Sequence, residues 1–133
     1  MGYHILVVED EEYWREAVFR ETMEEAGYQV RTCDTYNEAV AALEERVFDM
    51  LVIDVNLTGF AGNQDGVRVL ERVAALGREL PSVIVSGSKT RAMAEKSVEK
   101  FRPVSFLDKA TFDVAEFVTL VADTLAKVDS EKV

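Results

Sequence analysis

The sequence predicts an α/β protein with a doubly wound fold, in which helices cover both faces of a five-stranded parallel sheet. Five short apolar runs alternate along the 133 residues with longer segments of helical periodicity, the pattern typical of such a sheet. The runs lack the polar and apolar alternation of half-exposed strands, as expected where strands are buried on both faces. The length suits one domain, which we assign to residues 1–127, followed by a polar tail over 128–133 that is expected to fray.

The strands are predicted at the apolar runs themselves, near residues 4–8, 29–33, 50–53, 82–86 and 104–107. A first helix is predicted over about 11–26, between the first two runs. Trp14 lies on the apolar stripe of this helix, and further along the helix the stripe is displaced from regular helical spacing. Tyr13 and Phe19 fall off this stripe, so they are candidates for partly exposed contact residues.

Two later helices have recognisable starts. Capping boxes predict them at Thr35 with Glu38 and at Asp113 with Glu116. Apolar residues then recur at helical spacing, at Ala39, Ala42, Leu43 and Val47 and again at Phe117, Val121 and Leu125. The segment 88–100 has little to bury beyond Ala94 and Val98, which indicates a weakly anchored helix and a candidate mobile element.

The composition narrows the class of partner. A formal charge of −10, from 25 acidic and 15 basic residues, argues against direct binding of nucleic acid, which requires basic surface. No apolar run approaches the roughly 20 residues of a membrane span. The lone cysteine, Cys33, excludes an internal disulfide framework and suits a reducing compartment. We therefore expect a soluble, cytoplasmic protein that binds neither nucleic acid nor membrane.

Polar residues follow four of the five apolar runs. They are Glu9 and Asp10, then Asp54, then Ser86, and finally Asp108 with Lys109. The carboxyl ends of parallel strands share one edge of a sheet, so these side chains should converge. Such a group suits a divalent cation and a phosphoryl group, with an aspartate as nucleophile. Taken singly, Asp54 would be best explained as a turn cap, and the other groups at this edge reverse that preference. An ordinary surface lysine is the alternative for Lys109, although its place after an apolar strand argues against it.

Four segments at these strand ends resemble the signatures of response-regulator receiver domains. They read Val7-Val8-Glu9-Asp10-Glu11, Val52-Ile53-Asp54-Val55-Asn56, Val85-Ser86-Gly87 and Phe106-Leu107-Asp108-Lys109. They occur in the family's order and approximate spacing, and the resemblance covers residues 4 to about 127. It implies a flavodoxin-like sheet with strand order 2-1-3-4-5 and five helices.

The resemblance also implies that Asp54 is the phosphoryl acceptor and that Mg²⁺ is the cofactor. The direct metal ligands would be Asp10, Asp54 and the backbone carbonyl of Asn56. Glu9 stands where the family more often has aspartate, and it would act through water. For Glu11 we favour a different role, in which its charge complements the dipole of the first helix.

Further positions in the resemblance concern the phosphoryl group. Lys109 would pair with its oxygens, and Ser86 would hydrogen-bond to it and draw its own loop inward. Phe106 matches the family's aromatic switch position, although a role as a plain core phenylalanine stays open. Asn56 and Ser88 stand where family members tune the phosphoryl lifetime.

Two departures from the family bear on the site. Ala110 follows Lys109 where the family commonly has proline after a cis peptide; because such a bond is costly before other residues, this loop should be built differently. The loop 57–64 is longer than usual, lacks the family's proline and borders the site. Phe60 within it is either an anchor or a partner contact.

The resemblance thus implies a phosphorylation switch and not an ordinary enzyme. The donor would be a sensor histidine kinase or a phosphotransfer protein, and the face of the last two helices and last strand would change. The reader would be a partner protein or an output domain outside this chain, with a homodimer also open. Two alternatives remain: a phosphorylation-independent docking module, and a Mg²⁺-dependent phosphohydrolase, against which Asn56 stands at the acid/base position.

Overall fold

A parallel sheet forms the centre of the molecule in the computed structural model, which describes residues 2–55, 65–87 and 91–131. Its strands are β1 (His4–Val8), β2 (Gln29–Cys33), β3 (Met50–Asp54), β4 (Ser82–Ser86) and β5 (Ser105–Asp108). Within the described ranges they form one five-stranded sheet in the order β2-β1-β3-β4-β5, with every neighbouring pair parallel. The predicted fold class and strand order are confirmed.

A helix follows each of the five strands, again as predicted. They are α1 (a π-helical segment Tyr13–Arg20 continued by an α-helical turn Glu21–Glu25), α2 (Tyr36–Glu45), α3 (Asp65–Ala75), α4 (Arg91–Val98) and α5 (Val114–Glu131). Short 3₁₀ turns follow α4 and β5, at Glu99–Phe101 and Lys109–Thr111. Across these described elements, every helix is too short or too polar to cross a lipid bilayer.

The winding of α1 explains why its apolar stripe slips in the sequence. Tyr13 is 68% exposed, as the stripe predicts, but Phe19 is 1% exposed, so the prediction that Phe19 is partly exposed was wrong. The Glu21 N–H donates to the Glu16 carbonyl, five residues back, as π-helical winding requires. This wider winding changes which residues share a face and turns Phe19 into the core.

The predicted cap of α2 at Thr35 is confirmed, although Glu38 bonds the N–H of Asp34 and not that of Thr35, and the predicted stripe is one residue too long. Thr35 accepts a hydrogen bond from the Glu38 N–H at 3.2 Å, and Glu38 accepts one from the Asp34 N–H at 3.0 Å. The helix ends at Glu45, and the extended backbone that follows leaves Val47 67% exposed. Val47 therefore does not continue the buried stripe.

The observed bounds of α4 and α5 also differ from the predicted bounds. The helix predicted over 88–100 is observed as Arg91–Val98, with Val98 buried; residues 88–90 and the side chain of Ala94 lie outside the described part. α5 continues to Glu131, so most of the tail expected to fray is helical. A hydrogen bond from the Tyr3 hydroxyl to the Asp129 carboxylate joins this end of α5 to the start of the chain.

Alternate side chains of each strand enter two apolar clusters, one on each face of the sheet. One cluster packs against α2, α3 and α4 and includes Leu6, Val8, Leu51, Ile53, Ile84, Leu43, Leu70 and Val98. The other packs against α1 and α5 and includes Ile5, Val7, Val52, Val83, Val85, Phe19, Met23, Phe117 and Val121. β1 and β3 are neighbours in this arrangement although β2 separates them in sequence, so their carboxyl ends lie side by side at the switch point of the sheet.

Candidate functional site

Acidic side chains converge at the carboxyl ends of β1 and β3. Val8 pairs with Ile53 in the register of these strands, which places Glu9 and Asp54 beside each other. One carboxylate oxygen from each of Glu9, Asp10, Glu11 and Asp54 lies within 4.8 Å of the others. The predicted convergence of the first and third strand ends therefore occurs.

Lys109 reaches this acidic cluster from the turn after β5. Its Nζ lies 2.8 Å from Asp54 Oδ2, 2.9 Å from Glu9 Oε1 and 3.3 Å from Glu11 Oε1. β4 lies between β3 and β5, and the long lysine stem carries the charge past it. The side chain is only 11% exposed, so Lys109 is an internal ion-pair partner and not an ordinary surface lysine.

Burial and like charge shape the protonation of the acidic groups. Burial, followed by repulsion from Asp54, raises the pKa of the Glu9 carboxyl to about 8, although Lys109 and the Glu11 N–H oppose the shift. Burial also raises the pKa of Asp10, with Asp54 adding to the effect. For Lys109, burial works against the charged form, but attraction to Asp54 and then Glu9 outweighs it and raises the pKa. The cluster thus holds Lys109 charged and disfavours further negative charge.

These residues fit a hard divalent cation. The buried Oδ1 atom of Asp10 has no hydrogen-bond partner among the described residues, which is a costly state for a carboxylate oxygen unless a ligand satisfies it. The donors are all oxygens, the type that Mg²⁺ prefers. Glu9 Oε1 likewise has no hydrogen bond among the described residues, but Lys109 Nζ lies 2.9 Å from it as an ion-pair partner, and Glu9 Oε2 accepts a hydrogen bond from the Glu11 N–H at 3.0 Å. The carbonyl of Asn56 lies outside the described residues.

The two predicted switch residues lie on the neighbouring strands β4 and β5. Ser86 is fully buried, and its hydroxyl donates to the Gly87 carbonyl oxygen at 3.4 Å. Phe106 is half-buried and packs against the apolar cluster on the α2, α3 and α4 face. This packing agrees with both the switch and the core interpretation of Phe106. Ser88 and the loop 57–64, including Phe60, lie outside the described residues.

The turn that carries Lys109 is built around Ala110. Asp108 Oδ1 accepts a hydrogen bond from the Ala110 N–H at 2.8 Å and caps the 3₁₀ turn Lys109–Thr111. Proline at this position would have no N–H to donate. The described residues contain no cis peptide bond. A hydrogen bond that the family's usual proline could not make therefore stabilises this turn.

Two neighbours of the site were not predicted from the sequence. Arg15 Nη1 donates to the carbonyl oxygens of Glu9 and Asp10, each at 3.2 Å, and so holds the backbone that presents both carboxylates. The Trp14 ring lies 5.3 Å from Lys109 Nζ. Both residues belong to α1, and nothing in the local pattern indicated a role for them at the sheet edge.

A family model described as "Response regulator receiver domain" matches residues 5–122. The chain belongs to this family. As a receiver domain, it is a module of two-component signalling and not an enzyme of the classical kind.

Individual relatives agree with this assignment. The receiver domain is 32% identical over 97 residues to the two-component response regulator ARR11 of Arabidopsis thaliana, covering 70% of this chain and 18% of the relative. It is 27% identical over 124 residues to the sensor histidine kinase RcsC of Escherichia coli (strain K12), covering 92% and 12% respectively. The chain thus spans less than a fifth of either relative. One of these proteins is named a regulator and the other a kinase, so the likeness identifies the module and not its partner.

A solved structure supports the fold. The crystal structure of a CheY-like response regulator receiver domain protein from Methanospirillum hungatei JF-1 superposes with a TM-score of 0.85. The match covers 98% of this chain and 99% of that one, at 18% sequence identity. At this identity the superposition concerns the fold alone.

Proposed function

We propose that this receiver domain is a phosphorylation-dependent switch in which Asp54 accepts a phosphoryl group with the help of Mg²⁺. The donor is a sensor histidine kinase or a phosphotransfer protein. The observation that carries the proposal is the position of the Asp54 carboxylate, at the tip of β3, 2.8 Å from Lys109 Nζ and beside the carboxylates of Glu9 and Asp10. A nucleophile, a cation for phosphoryl oxygens and a set of metal ligands therefore meet at one point.

The reaction is a single in-line displacement. The Asp54 carboxylate attacks phosphorus, and a P–O bond forms as the P–N bond of the donor phosphohistidine breaks. The electron pair leaves with the imidazole nitrogen. Lys109, which already contacts Asp54 Oδ2, pairs with the phosphoryl oxygens as they arrive. Asp10, Asp54 and the Asn56 carbonyl would hold Mg²⁺, and the cation would neutralise part of the phosphoryl charge.

The signal leaves the site through the neighbouring strands. The Ser86 hydroxyl exchanges its contact with the Gly87 carbonyl for the new phosphoryl oxygen, and Phe106 moves toward the space that Ser86 releases. This movement changes the surface formed by α4, β5 and α5. A separate protein, or an output domain outside this chain, reads that change through a shift in conformational populations.

A phosphorylation-independent docking module is the second candidate, and one observation favours it. Lys109 Nζ forms ion pairs with the carboxylates of Asp54, Glu9 and Glu11, at 2.8, 2.9 and 3.3 Å. A site so well paired can serve as a structural element alone.

Beryllofluoride, a mimic of the phosphoryl group, distinguishes the two candidates. We expect that Mg²⁺ with beryllofluoride shifts the amide NMR signals of Ser86 and of β5 in the wild type and leaves Asp54→Asn unchanged. Asp49→Asn is the matched control, because Asp49 precedes the same strand at its opposite end, where it accepts a hydrogen bond from the His4 N–H. A wild-type spectrum that does not respond would support the docking module.

A further inference from the structure

The single tryptophan of the chain lies against the catalytic lysine. Trp14 is the only tryptophan in the sequence, and its ring centroid is 5.3 Å from Lys109 Nζ. An ammonium group at this distance from an indole ring is attracted by the negative face of the ring. The carboxylates of Glu9, Glu11 and Asp54 contact the same nitrogen. Trp14 thus adds an apolar neighbour to a cation that is otherwise surrounded by acidic groups.

Trp14 also contacts the segment that carries Lys109. Its ring meets the Phe112 ring edge to face, with centroids 5.3 Å apart and an interplanar angle of 88°. Phe112 follows Lys109 by three residues and packs against Phe19 and Phe117, at 5.8 and 5.3 Å. Aromatic pairs at these separations are favourable beyond the area that they bury. The aromatic cluster therefore fixes the far end of the turn Lys109–Thr111 to α1 and α5.

The π-helical winding of α1 makes this contact available. Trp14 and Phe19 are five residues apart, so an ordinary α-helix would point them about 140° away from each other. In the observed winding their ring centroids are 5.8 Å apart, and both rings contact Phe112. One helix thus supplies two neighbouring sides of the pocket for Phe112.

The turn that receives this support has unusual chemistry for the family. Ala110 stands after Lys109, and its N–H donates a hydrogen bond to Asp108. A proline at this position, as is common in the family, would have no N–H to donate. Alanine leaves φ freer than proline does, so the turn is less restricted by its own covalent structure. Besides the Asp108 hydrogen bond within the turn, the contacts of Trp14 with Lys109 and Phe112 restrict it from outside.

We propose that Trp14 is a positioning residue for Lys109: it holds the ammonium toward Asp54 by direct contact and holds the turn through Phe112. The consequence for phosphorylation rests on the function proposed above. The placement of Lys109 does not depend on that function, and it can be measured in the unphosphorylated protein.

The first measurement is therefore made without a phosphoryl donor. In the wild type, the ring current of Trp14 should move the Lys109 Cε protons upfield in the NMR spectrum. Trp14→Leu should return them toward ordinary lysine positions, whereas Tyr28→Leu should leave them in place. Tyr28 is a matched control because it packs in the same apolar cluster and contacts Tyr3 instead of Lys109.

The second measurement follows phosphorylation by phosphoramidate in Mg²⁺, detected by mass. We expect the maximal rate of Trp14→Leu to fall about tenfold, because misplacing one catalytic group by a fraction of a bond length is costly. The donor concentration at half-maximal rate should change little. Trp14→Phe should recover most of the rate, and Tyr28→Leu should match the wild type. Circular dichroism melting confirms that each variant is folded at the assay temperature.

The outcomes separate this inference from the proposed function. A folded Trp14→Leu that reacts at the wild-type rate overturns the positioning role and leaves the switch intact. Ordinary Lys109 shifts in the wild type overturn it as well. Failure of phosphoramidate to phosphorylate the wild type contradicts the proposed function. In that case the NMR shifts of the Lys109 Cε protons alone decide whether Trp14 positions Lys109. Should Trp14→Leu be unfolded, the Lys109 shifts of Trp14→Phe decide: shifts between those of the wild type and ordinary lysine support the placement, and shifts equal to those of the wild type overturn it.

Discussion

Gly66, the second residue of α3, lies directly against the backbone of Val55, the residue after Asp54. A β-carbon at Gly66 would stand 2.4 Å from Val55 Cα and 2.6 Å from the Asp54 carbonyl oxygen. These neighbours are backbone atoms, which cannot rotate away as a side chain can. The start of α3 and the carboxyl end of β3 are therefore packed as closely as a glycine permits, and the position of Asp54 depends on this contact.

Gly66→Ala should destabilise the fold and disturb the acidic cluster together. We expect the free energy of unfolding to fall by about 1–3 kcal/mol, the usual cost of forcing an extra carbon into a packed site. Urea denaturation measures the change. Gly87→Ala is the matched control, because no atom of the described residues lies within 4 Å of the added carbon there. Equal stability of Gly66→Ala and the wild type would contradict the packing described.

Mg²⁺ should raise the thermal stability of the wild type. The buried carboxylates of Asp54 and Glu9 repel each other, and a bound cation relieves this repulsion. At about ten times the dissociation constant, we expect an increase of roughly 3–5 °C in the melting temperature. Asp10→Asn should lose most of this increase, and Asp49→Asn, at the opposite end of β3, should retain it. An unchanged wild-type melting temperature in millimolar Mg²⁺ at neutral pH would count heavily against the metal site.

Lys109→Met should destabilise the metal-free protein strongly. The substitution leaves Glu9 and Asp54 buried without their opposite charge, which we expect to cost about 3 kcal/mol in denaturant unfolding. Mg²⁺ should stabilise this variant more than the wild type, because the cation replaces part of the lost charge. Lys100→Met removes a lysine whose side chain is 65% exposed and whose carboxylate partner is 4.0 Å away. That control should change the free energy of unfolding by less than about 0.5 kcal/mol. Similar effects of both substitutions would show that Lys109 does not neutralise the cluster.

Cys33 should react slowly with thiol reagents in the folded protein. Burial raises the pKa of its thiol to about 11, so little of the reactive thiolate exists at pH 8. We expect alkylation by iodoacetamide at pH 8 to be at least about 100-fold slower than in urea, where the thiol is exposed and its pKa is about 8.5. Folded and unfolded protein reacting at similar rates would contradict the burial of Cys33 at the end of β2.

The raised pKa of Cys33 also makes the stability of the fold depend on pH. The folded-state pKa lies above the unfolded one, so the folded protein binds the thiol proton more tightly. The contribution is fully present below about pH 8.5 and is lost as the pH rises toward about 11. Cys33→Ala should therefore lose less stability over this range than the wild type does. Parallel pH profiles of the two proteins would contradict the shift.

The sequence by itself determined the fold class, the strand positions and the convergence of Asp54 with Glu9 and Asp10. These follow from local features, because each buried strand is an apolar run with a polar end, and parallel strands place those ends at one edge. The strand order was implied by the resemblance of several such ends to the family, and the role proposed for Lys109 also comes from that resemblance. Both the cap of α2 at Thr35 and the long apolar spacing of α5 were likewise readable locally.

Only the tertiary structure decided which side chains surround that edge. Phe19 is buried because α1 winds as a π-helix, whereas Val47 is exposed because α2 stops before it. Trp14 reaches Lys109 across 95 positions of sequence, and Gly66 meets Val55 through the packing of α3 on β3. Such contacts depend on how distant segments wind and pack against each other. The periodicity of apolar residues along one segment does not indicate which distant segment it will contact.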